Sequence, residues 1–125
     1  MPRYCFTGQV HPDLVEEYRE QHAEVWPEML QALREAGWGD YTLHLRDDGL
    51  LVGVVETPEG TTLEEARARV ESTTVNVLWQ SETARFFPAA PPGRPDLSFT
   101  VLPTAFDLTA QLERLPEQEI AHVRP

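Results

Sequence analysis

The chain has 125 residues, a formal net charge of −11 and 41% hydrophobic residues. This length and composition predict one globular domain with its own core. A strongly acidic surface repels phosphate backbones and anionic lipid headgroups, so we expect no nucleic acid partner and no membrane partner.

The reactive side chains exclude several further classes of chemistry. All ten basic residues are arginine, which excludes a lysine Schiff base and a lysine general base. The single cysteine, Cys5, cannot form an internal disulfide, and the first ten residues lack the long apolar stretch of a signal peptide. The four histidines show no spacing typical of a metal site. We therefore expect no metal, no other cofactor and a cytoplasmic location.

The first third of the chain predicts one strand and one interrupted helix. Residues 4–10 alternate and are rich in strand formers. A helix is predicted from about residue 14 to residue 36, with Asp13 as its N-cap and Glu16 in the capping-box position. Pro27 is unfavourable inside a helix and favourable in a first turn, so we expect a kink or a brief break just before it.

The rest of the chain predicts three more strands and two more helices, with strands over 41–46, 50–56 and 99–106 and helices over 63–71 and 75–87. An Asp-Asp-Gly turn joins the second and third strands into a hairpin. Thr62 and Glu65 predict a capping box at the start of the first of these helices. Pro103 predicts an edge or a bulge in the last strand, after a proline-rich loop over 88–96.

This order of elements indicates an α+β fold of the ferredoxin-like type, an antiparallel four-stranded sheet with helices on one face. We expect one domain over residues 1–108 and a polar, partly helical tail over 109–125. A single chain would leave one sheet face uncovered, and two sheets packing face to face would bury it, which predicts a homodimer. Alternatively, that face holds a ligand.

The first predicted helix carries two proton-handling residues on its apolar face. Tyr18 and His22 are four residues apart and are therefore neighbours on that face. The opposite face carries glutamates suited to water, at positions 16, 17, 20 and 24. A tyrosine or histidine on an apolar face often only packs in the core with its polar atom satisfied. The alternative is a small acid–base pocket.

Four segments of the chain resemble the L-rhamnose mutarotase family: FTGQVHPDLVEEYREQHAEVWPEM, GWGDYTLHLRDDGLLVGVVE, VNVLWQSETARFF and VLPTAFDL. The resemblance covers about the first 108 residues. It implies a small protein of the dimeric α+β barrel type, an isomerase that interconverts the α and β anomers of L-rhamnopyranose. It also implies that His22 and Tyr18 are catalytic and that Trp79 and Gln80 line the sugar pocket.

The chemistry of mutarotation agrees with these residue types. Ring opening needs a base and an acid. A histidine with a pKa of about 6.5 can be the base or the acid near neutrality. A sugar ring also presents a C–H face to flat aromatic rings, for which Trp79, Trp38 and Tyr41 are candidates. Asn76 and Gln80 can hydrogen-bond sugar hydroxyls without charge. Core packing is the alternative for the aromatic residues.

Two other functions remain open for a chain of this pattern. Cofactor-independent monooxygenases and cyclases use the same dimeric architecture, so the fold alone does not exclude them. A non-enzymatic module that binds a neutral sugar is the other alternative. The polar set on the predicted pocket favours a small neutral sugar as ligand, and a fused-ring substrate would favour an apolar pocket.

Overall fold

The computed structural model describes residues 2–90 and 95–116. Four strands form one antiparallel sheet in the order β2-β3-β1-β4: β1 (Arg3–Gln9), β2 (Tyr41–Leu45), β3 (Leu50–Glu56) and β4 (Thr100–Leu102). Five α-helices accompany them: α1 (Val15–Ala23), α2 (Pro27–Glu35), α3 (Leu63–Glu71), α4 (Thr74–Thr83) and α5 (Leu108–Glu113). This arrangement confirms the predicted ferredoxin-like α+β fold.

The alternation of side chains along β3 separates the two faces of the sheet. Leu51 and Val55 are fully buried, whereas Val52 and Val54 between them are partly exposed. Phe6 of β1 pairs with Gly53 and belongs to the buried face. Helices therefore cover one face of the sheet, and the face that holds Val52 and Val54 is uncovered within this chain.

The predicted break in the first long helix is confirmed. α1 ends at Ala23, Glu24 has a non-helical backbone, and Pro27 is the first residue of α2. The Trp26 carbonyl accepts the first hydrogen bonds of the new helix. Proline has no N–H at this position, so the first turn of α2 has one donor fewer to satisfy.

The predicted N-cap at Asp13 is wrong. Residues Pro12–Leu14 form a turn of 3₁₀-helix, in which the His11 imidazole Nδ1 accepts from the Asp13 backbone N–H. α1 begins after Leu14 with no side-chain cap, and Glu16 accepts a hydrogen bond from Arg19. Pro12 favours this tight turn, which moves the helix start beyond the reach of the Asp13 carboxylate.

Other boundaries also differ from the prediction. The helix predicted over 75–87 is α-helical to Thr83 and then continues as 3₁₀-helix over Ala84–Phe86. The last strand is three residues long instead of eight, since pairing with β1 ends at Leu102 and Pro103 has no N–H to donate. The predicted loop over 88–96 lies partly outside the described residues. The capping box of Thr62 and Glu65 is confirmed.

Two groups of buried side chains form the core. One packs the β1–α1 junction against the segment after α4 and includes Val10, Tyr18 and Phe86. The other lies between the helices and includes Met29 and Trp79. Within the described part of the chain, no helix has the length and apolar character needed to cross a membrane.

Candidate active site

A cavity of about 820 Å³ lies between the helices and the covered face of the sheet. A smaller space of about 70 Å³ adjoins it, because six residues line both: His22, Tyr41, Leu43, Trp79, Gln80 and Phe99. Small-molecule sites commonly have volumes of roughly 300–1,000 Å³, so a sugar fits this one. The described residues thus enclose a space of ligand size on the helix side of the sheet.

His22 is held by the backbone of its own helix. Its Nδ1 lies 3.0 Å from the Tyr18 carbonyl oxygen, four residues earlier on α1. A carbonyl oxygen only accepts, so in the neutral ring Nδ1 carries the proton and Nε2 carries the lone pair. Burial lowers the pKa of His22, and the hydrogen bond to the Tyr18 carbonyl opposes this effect. The lowered pKa thus favours the neutral ring, in a residue that lines both parts of the cavity.

Tyr18 packs directly on the histidine. The two rings stack with centroids 3.9 Å apart, as their spacing of four residues allows, and the Tyr18 ring lines the smaller space. The edges of Phe86 and Phe87 contact the same ring. Burial raises the pKa of Tyr18 well above its ordinary value, and the neighbouring Tyr41 adds to the rise. Tyr18 therefore remains a phenol, whose hydroxyl has a proton to donate in a hydrogen bond.

Trp79 forms the wall beside the imidazole. Its ring meets His22 edge to face at 5.4 Å between centroids and meets Trp26 in the same way at 5.0 Å. The residue is 7% exposed and lines both parts of the cavity. α4 places it there because Asn76 and Thr83 lie on the same buried face. The flat ring next to a base is suited to stack on a sugar.

Asn76 and Gln80 add neutral polar groups, one turn apart on α4. Asn76 is buried, and its Nδ2 donates to the Glu71 carbonyl at 3.2 Å. Its Oδ1 accepts from Gln80 Nε2 at 3.3 Å. This chain of amides orients Gln80 at the junction of the two spaces, where a sugar hydroxyl can reach it.

Trp38 and Tyr41 add a second pair of aromatic rings to the cavity lining. Their rings are 4.8 Å apart between centroids, and Trp38 Nε1 donates to the Ala66 carbonyl at 3.2 Å. Burial also raises the pKa of Tyr41, which keeps this phenol protonated. Trp38 is thus fixed by the α3 backbone, while Tyr41 reaches the part of the cavity shared with His22.

All seven residues named from the sequence line this connected space: Tyr18, His22, Trp38, Tyr41, Asn76, Trp79 and Gln80. Their catalytic and binding roles remain predictions. Leu43 and Phe99 line both parts of the cavity and were not named, although Leu43 shares a strand face with Tyr41 through simple alternation. Phe99 had no comparable signal, because only the folded chain brings it next to β1. In the described residues, no cluster of histidine, cysteine and carboxylate side chains is arranged to hold a metal ion.

Curated relatives share the sequence over much of this chain. An L-rhamnose mutarotase of Sinorhizobium fredii is 41% identical over 66 residues, which are 52% of this chain and 64% of that protein. One of Burkholderia orbicola is 34% identical over 96 residues, 76% of this chain and 88% of that protein. The chain spans less than two thirds of the length of several relatives, including the Sinorhizobium protein.

A solved structure shares the fold. The crystal structure of L-rhamnose mutarotase FA22100 from Formosa agariphila superposes with a TM-score of 0.72 at 17% identity, covering 86% of this chain and 99% of that chain. A model of the L-rhamnose mutarotase family matches residues 3–108. This chain therefore belongs to the L-rhamnose mutarotase family.

Proposed function

We propose that this protein is an isomerase that interconverts the α and β anomers of L-rhamnopyranose by general acid–base catalysis. The observation that carries the proposal is the cavity-lining imidazole of His22. Its Nδ1 is held by the Tyr18 carbonyl, and its lowered pKa keeps Nε2 free of a proton near neutrality. Membership of the L-rhamnose mutarotase family supports the same activity.

The reaction is a proton transfer coupled to cleavage of one C–O bond. Opening breaks the bond between C1 and the ring oxygen O5, forms the C1 aldehyde and moves one proton from O1 to O5. His22 Nε2 accepts the O1 proton and delivers it to O5, since both oxygens are bonded to C1 and lie within reach of one nitrogen. Rotation about C1–C2 and closure on the other face reverse these steps. No oxidation state changes, so no redox cofactor takes part.

Tyr18 assists as a hydrogen-bond donor in this scheme. Its raised pKa makes a phenolate unfavourable, so the phenol keeps its own proton through the cycle. Its ring stacks on the imidazole, and its hydroxyl can donate to the sugar oxygen on which negative charge develops. Proton transfer is therefore assigned to His22, and positioning of the sugar oxygens to Tyr18.

The other lining residues suit a small neutral sugar. Trp79 provides a flat surface for the C–H face of the pyranose, and Trp38 and Tyr41 provide further aromatic lining. Asn76 and Gln80 supply uncharged hydrogen-bonding groups for hydroxyls. A neutral ligand also avoids repulsion by a chain with a net charge of −11.

Anomer exchange measured by NMR tests the proposal. Saturation of one anomeric proton of L-rhamnose, with transfer to the other anomer, should show exchange that accelerates in proportion to protein concentration. The His22→Asn variant at equal concentration is the control for activity that does not depend on the imidazole. Binding of L-rhamnose without acceleration would contradict the enzymatic proposal and leave a sugar-binding module.

We also propose that two copies associate through the uncovered sheet face as a homodimer. That face carries apolar side chains from three strands: Val52, Val54, Cys5 and Leu102. Leu102 is 45% exposed. A partly apolar face that is uncovered in one chain is self-complementary about a two-fold axis, which is the commonest symmetry of homodimers. Sedimentation equilibrium at micromolar concentration should give twice the chain mass.

We further propose a cytoplasmic location, as the sequence predicts. The support is chemical: Cys5 is an unpaired and only partly buried thiol, which suits a reducing compartment. Fractionation of the native host with detection by antibody tests this location. Recovery of the protein mainly from the periplasm or the medium would contradict it.

A further inference from the structure

The junction between the two parts of the cavity combines a base with a carbon-lined wall. Six residues line this junction, and beside His22 and the amide of Gln80 the remaining four present mainly carbon: Tyr41, Leu43, Trp79 and Phe99. Leu43 and Phe99 have no polar side-chain atom at all. On the side of Leu43 and Phe99, the surface next to the reacting atoms is therefore aliphatic and aromatic. A ligand group there contacts carbon only.

Two ligand groups lie next to the reacting atoms, the C2 hydroxyl beside C1 and C6 beside O5. Only C6 is apolar in L-rhamnose, so C6 is the group that matches the carbon surface. In a pyranose the reacting bond joins C1 to O5, and O5 is also bonded to C5, which carries C6. C6 is therefore two bonds from the oxygen that must receive a proton from His22. In L-rhamnose C6 is a methyl group, and in L-mannose the same carbon carries a hydroxyl with all other centres unchanged.

We propose that Leu43 and Phe99 select 6-deoxy sugars by packing against the C6 methyl group. This inference rests on the proposed mutarotase function and deepens it. The hydroxyl of a 6-hydroxy sugar at this position would lose its hydrogen bonds to water and gain none from a leucine or a phenylalanine. In this arrangement the Gln80 amide hydrogen-bonds a hydroxyl on the other side of C1.

Both side chains are held in place by the sheet. Leu43 pairs with Gly53 across β2 and β3, on the covered face. Phe99 stacks on Phe6 with centroids 5.0 Å apart and lies over Gly8, where a Cβ atom would come within 2.7 Å of its ring. A glycine is therefore needed under this ring, and the wall has a defined position relative to His22.

The size of the expected selectivity follows from the chemistry of the wall. A hydrophobic pocket rejects an analogue that only adds a hydroxyl by about 10²-fold at most. We therefore expect kcat/KM for L-rhamnose to exceed that for L-mannose by about 10- to 100-fold in the unaltered protein. Anomer exchange of both sugars is measured by the same NMR method.

Substitution of Leu43 tests which side chain produces the preference. Leu43→Asn should lower the ratio of kcat/KM values several-fold, mainly by raising exchange of L-mannose, because the amide can hydrogen-bond the C6 hydroxyl. Leu43→Met preserves volume and apolar character and should keep the ratio of the unaltered protein. If Leu43→Asn fails to fold, as judged by circular dichroism, the smaller Leu43→Thr makes the same comparison.

The outcomes separate this inference from the function on which it rests. Equal kcat/KM for the two sugars in the unaltered protein, or an unchanged ratio in a folded Leu43→Asn or Leu43→Thr variant, would overturn the role of this wall. No acceleration with either sugar would instead contradict the proposed mutarotase function. A preference for L-mannose would overturn the inference while leaving the mutarotase activity in place.

Discussion

At the scale of single residues, the backbone carbonyl of Tyr18 is the group that holds the His22 imidazole. The carbonyl selects the tautomer with a proton on Nδ1, and it also fixes the direction of the ring within α1. Burial then lowers the pKa of the ring, so that little of it is protonated at neutral pH. One hydrogen bond within a helix thus orients the imidazole and leaves the lone pair on Nε2.

Removal of the imidazole should abolish most of the activity. His22→Asn keeps a similar size but has no titratable nitrogen, and general acid–base catalysis typically contributes about 10²–10⁴-fold. We expect kcat to fall by this factor, with a circular dichroism spectrum like that of the unaltered protein. The measurement is anomer exchange of L-rhamnose by saturation-transfer NMR.

Tyr18→Phe provides the matched comparison on the same helix face. The stacked ring remains and only the hydroxyl is lost, so we expect a smaller decrease, about 10²-fold, the lower end of the range for losing a donor to developing charge. A larger loss for Tyr18→Phe than for His22→Asn would contradict the assignment of proton transfer to the imidazole.

The pH dependence of kcat/KM should reflect the neutral form of His22. A pKa lowered below its ordinary value of about 6.5 makes the base form predominant at pH 7, so activity should rise little as the pH increases further. Activity should decline only as the pH falls through the lowered pKa, with an inflection below about 6.5. If activity instead declines with a midpoint above about pH 6.5, burial does not lower the pKa of His22.

At the scale of elements, helix caps give a direct stability test. Thr62 forms a reciprocal capping box with Glu65 at the start of α3, whereas the Asp13 carboxylate caps no helix. Thr62→Ala should reduce the free energy of unfolding by about 1 kcal/mol. Asp13→Ala should change it by less than about 0.5 kcal/mol. Urea unfolding followed by circular dichroism measures the free energy of unfolding of both variants. Equal losses of stability in the two variants would contradict a cap at Thr62 and none at Asp13.

Several elements could be predicted because their signals are local. Pro27 has one favourable place in a helix, the first turn, and this position is enough to locate the break between α1 and α2. The Asp13 cap was wrong because Pro12 and the His11 imidazole form a competing turn. Such competition between neighbouring caps depends on the exact backbone path, which composition and spacing do not determine.

At the scale of the whole molecule, association through the uncovered sheet face can be tested with paired charge substitutions. Val54 lies on that face and Val77 lies on the outer surface of α4, where it is 55% exposed. Val54→Arg should shift the protein from dimer towards monomer, because it buries an unpaired charge in the proposed interface. Val77→Arg should leave the sedimentation coefficient unchanged. Dimers of equal stability in both variants would contradict this interface.

The candidate site could be predicted only in part, because its residues come from segments that are far apart in the sequence. Tyr18 and His22 share a helix face, and Asn76, Trp79 and Gln80 share another, so spacing groups each set. The cavity itself depends on the packing of α1 and α4 against the sheet, which no local pattern describes. Phe99 therefore joined the site only through the fold, as did polar residues of α3 that line the cavity, among them Arg67.

The last described residues form an arm in which every residue from Thr100 to Pro116 is exposed. This arm includes α5 and carries large apolar side chains at Phe106, Leu108, Leu112 and Leu115. A helix of six residues is far below the length at which an isolated helix is stable in water. In a single chain, the amide hydrogens of α5 should therefore exchange with deuterium almost as fast as those of an unfolded peptide. Slow exchange in α5 would then report contacts made with another surface, and its dependence on protein concentration would reveal whether that surface belongs to a second copy.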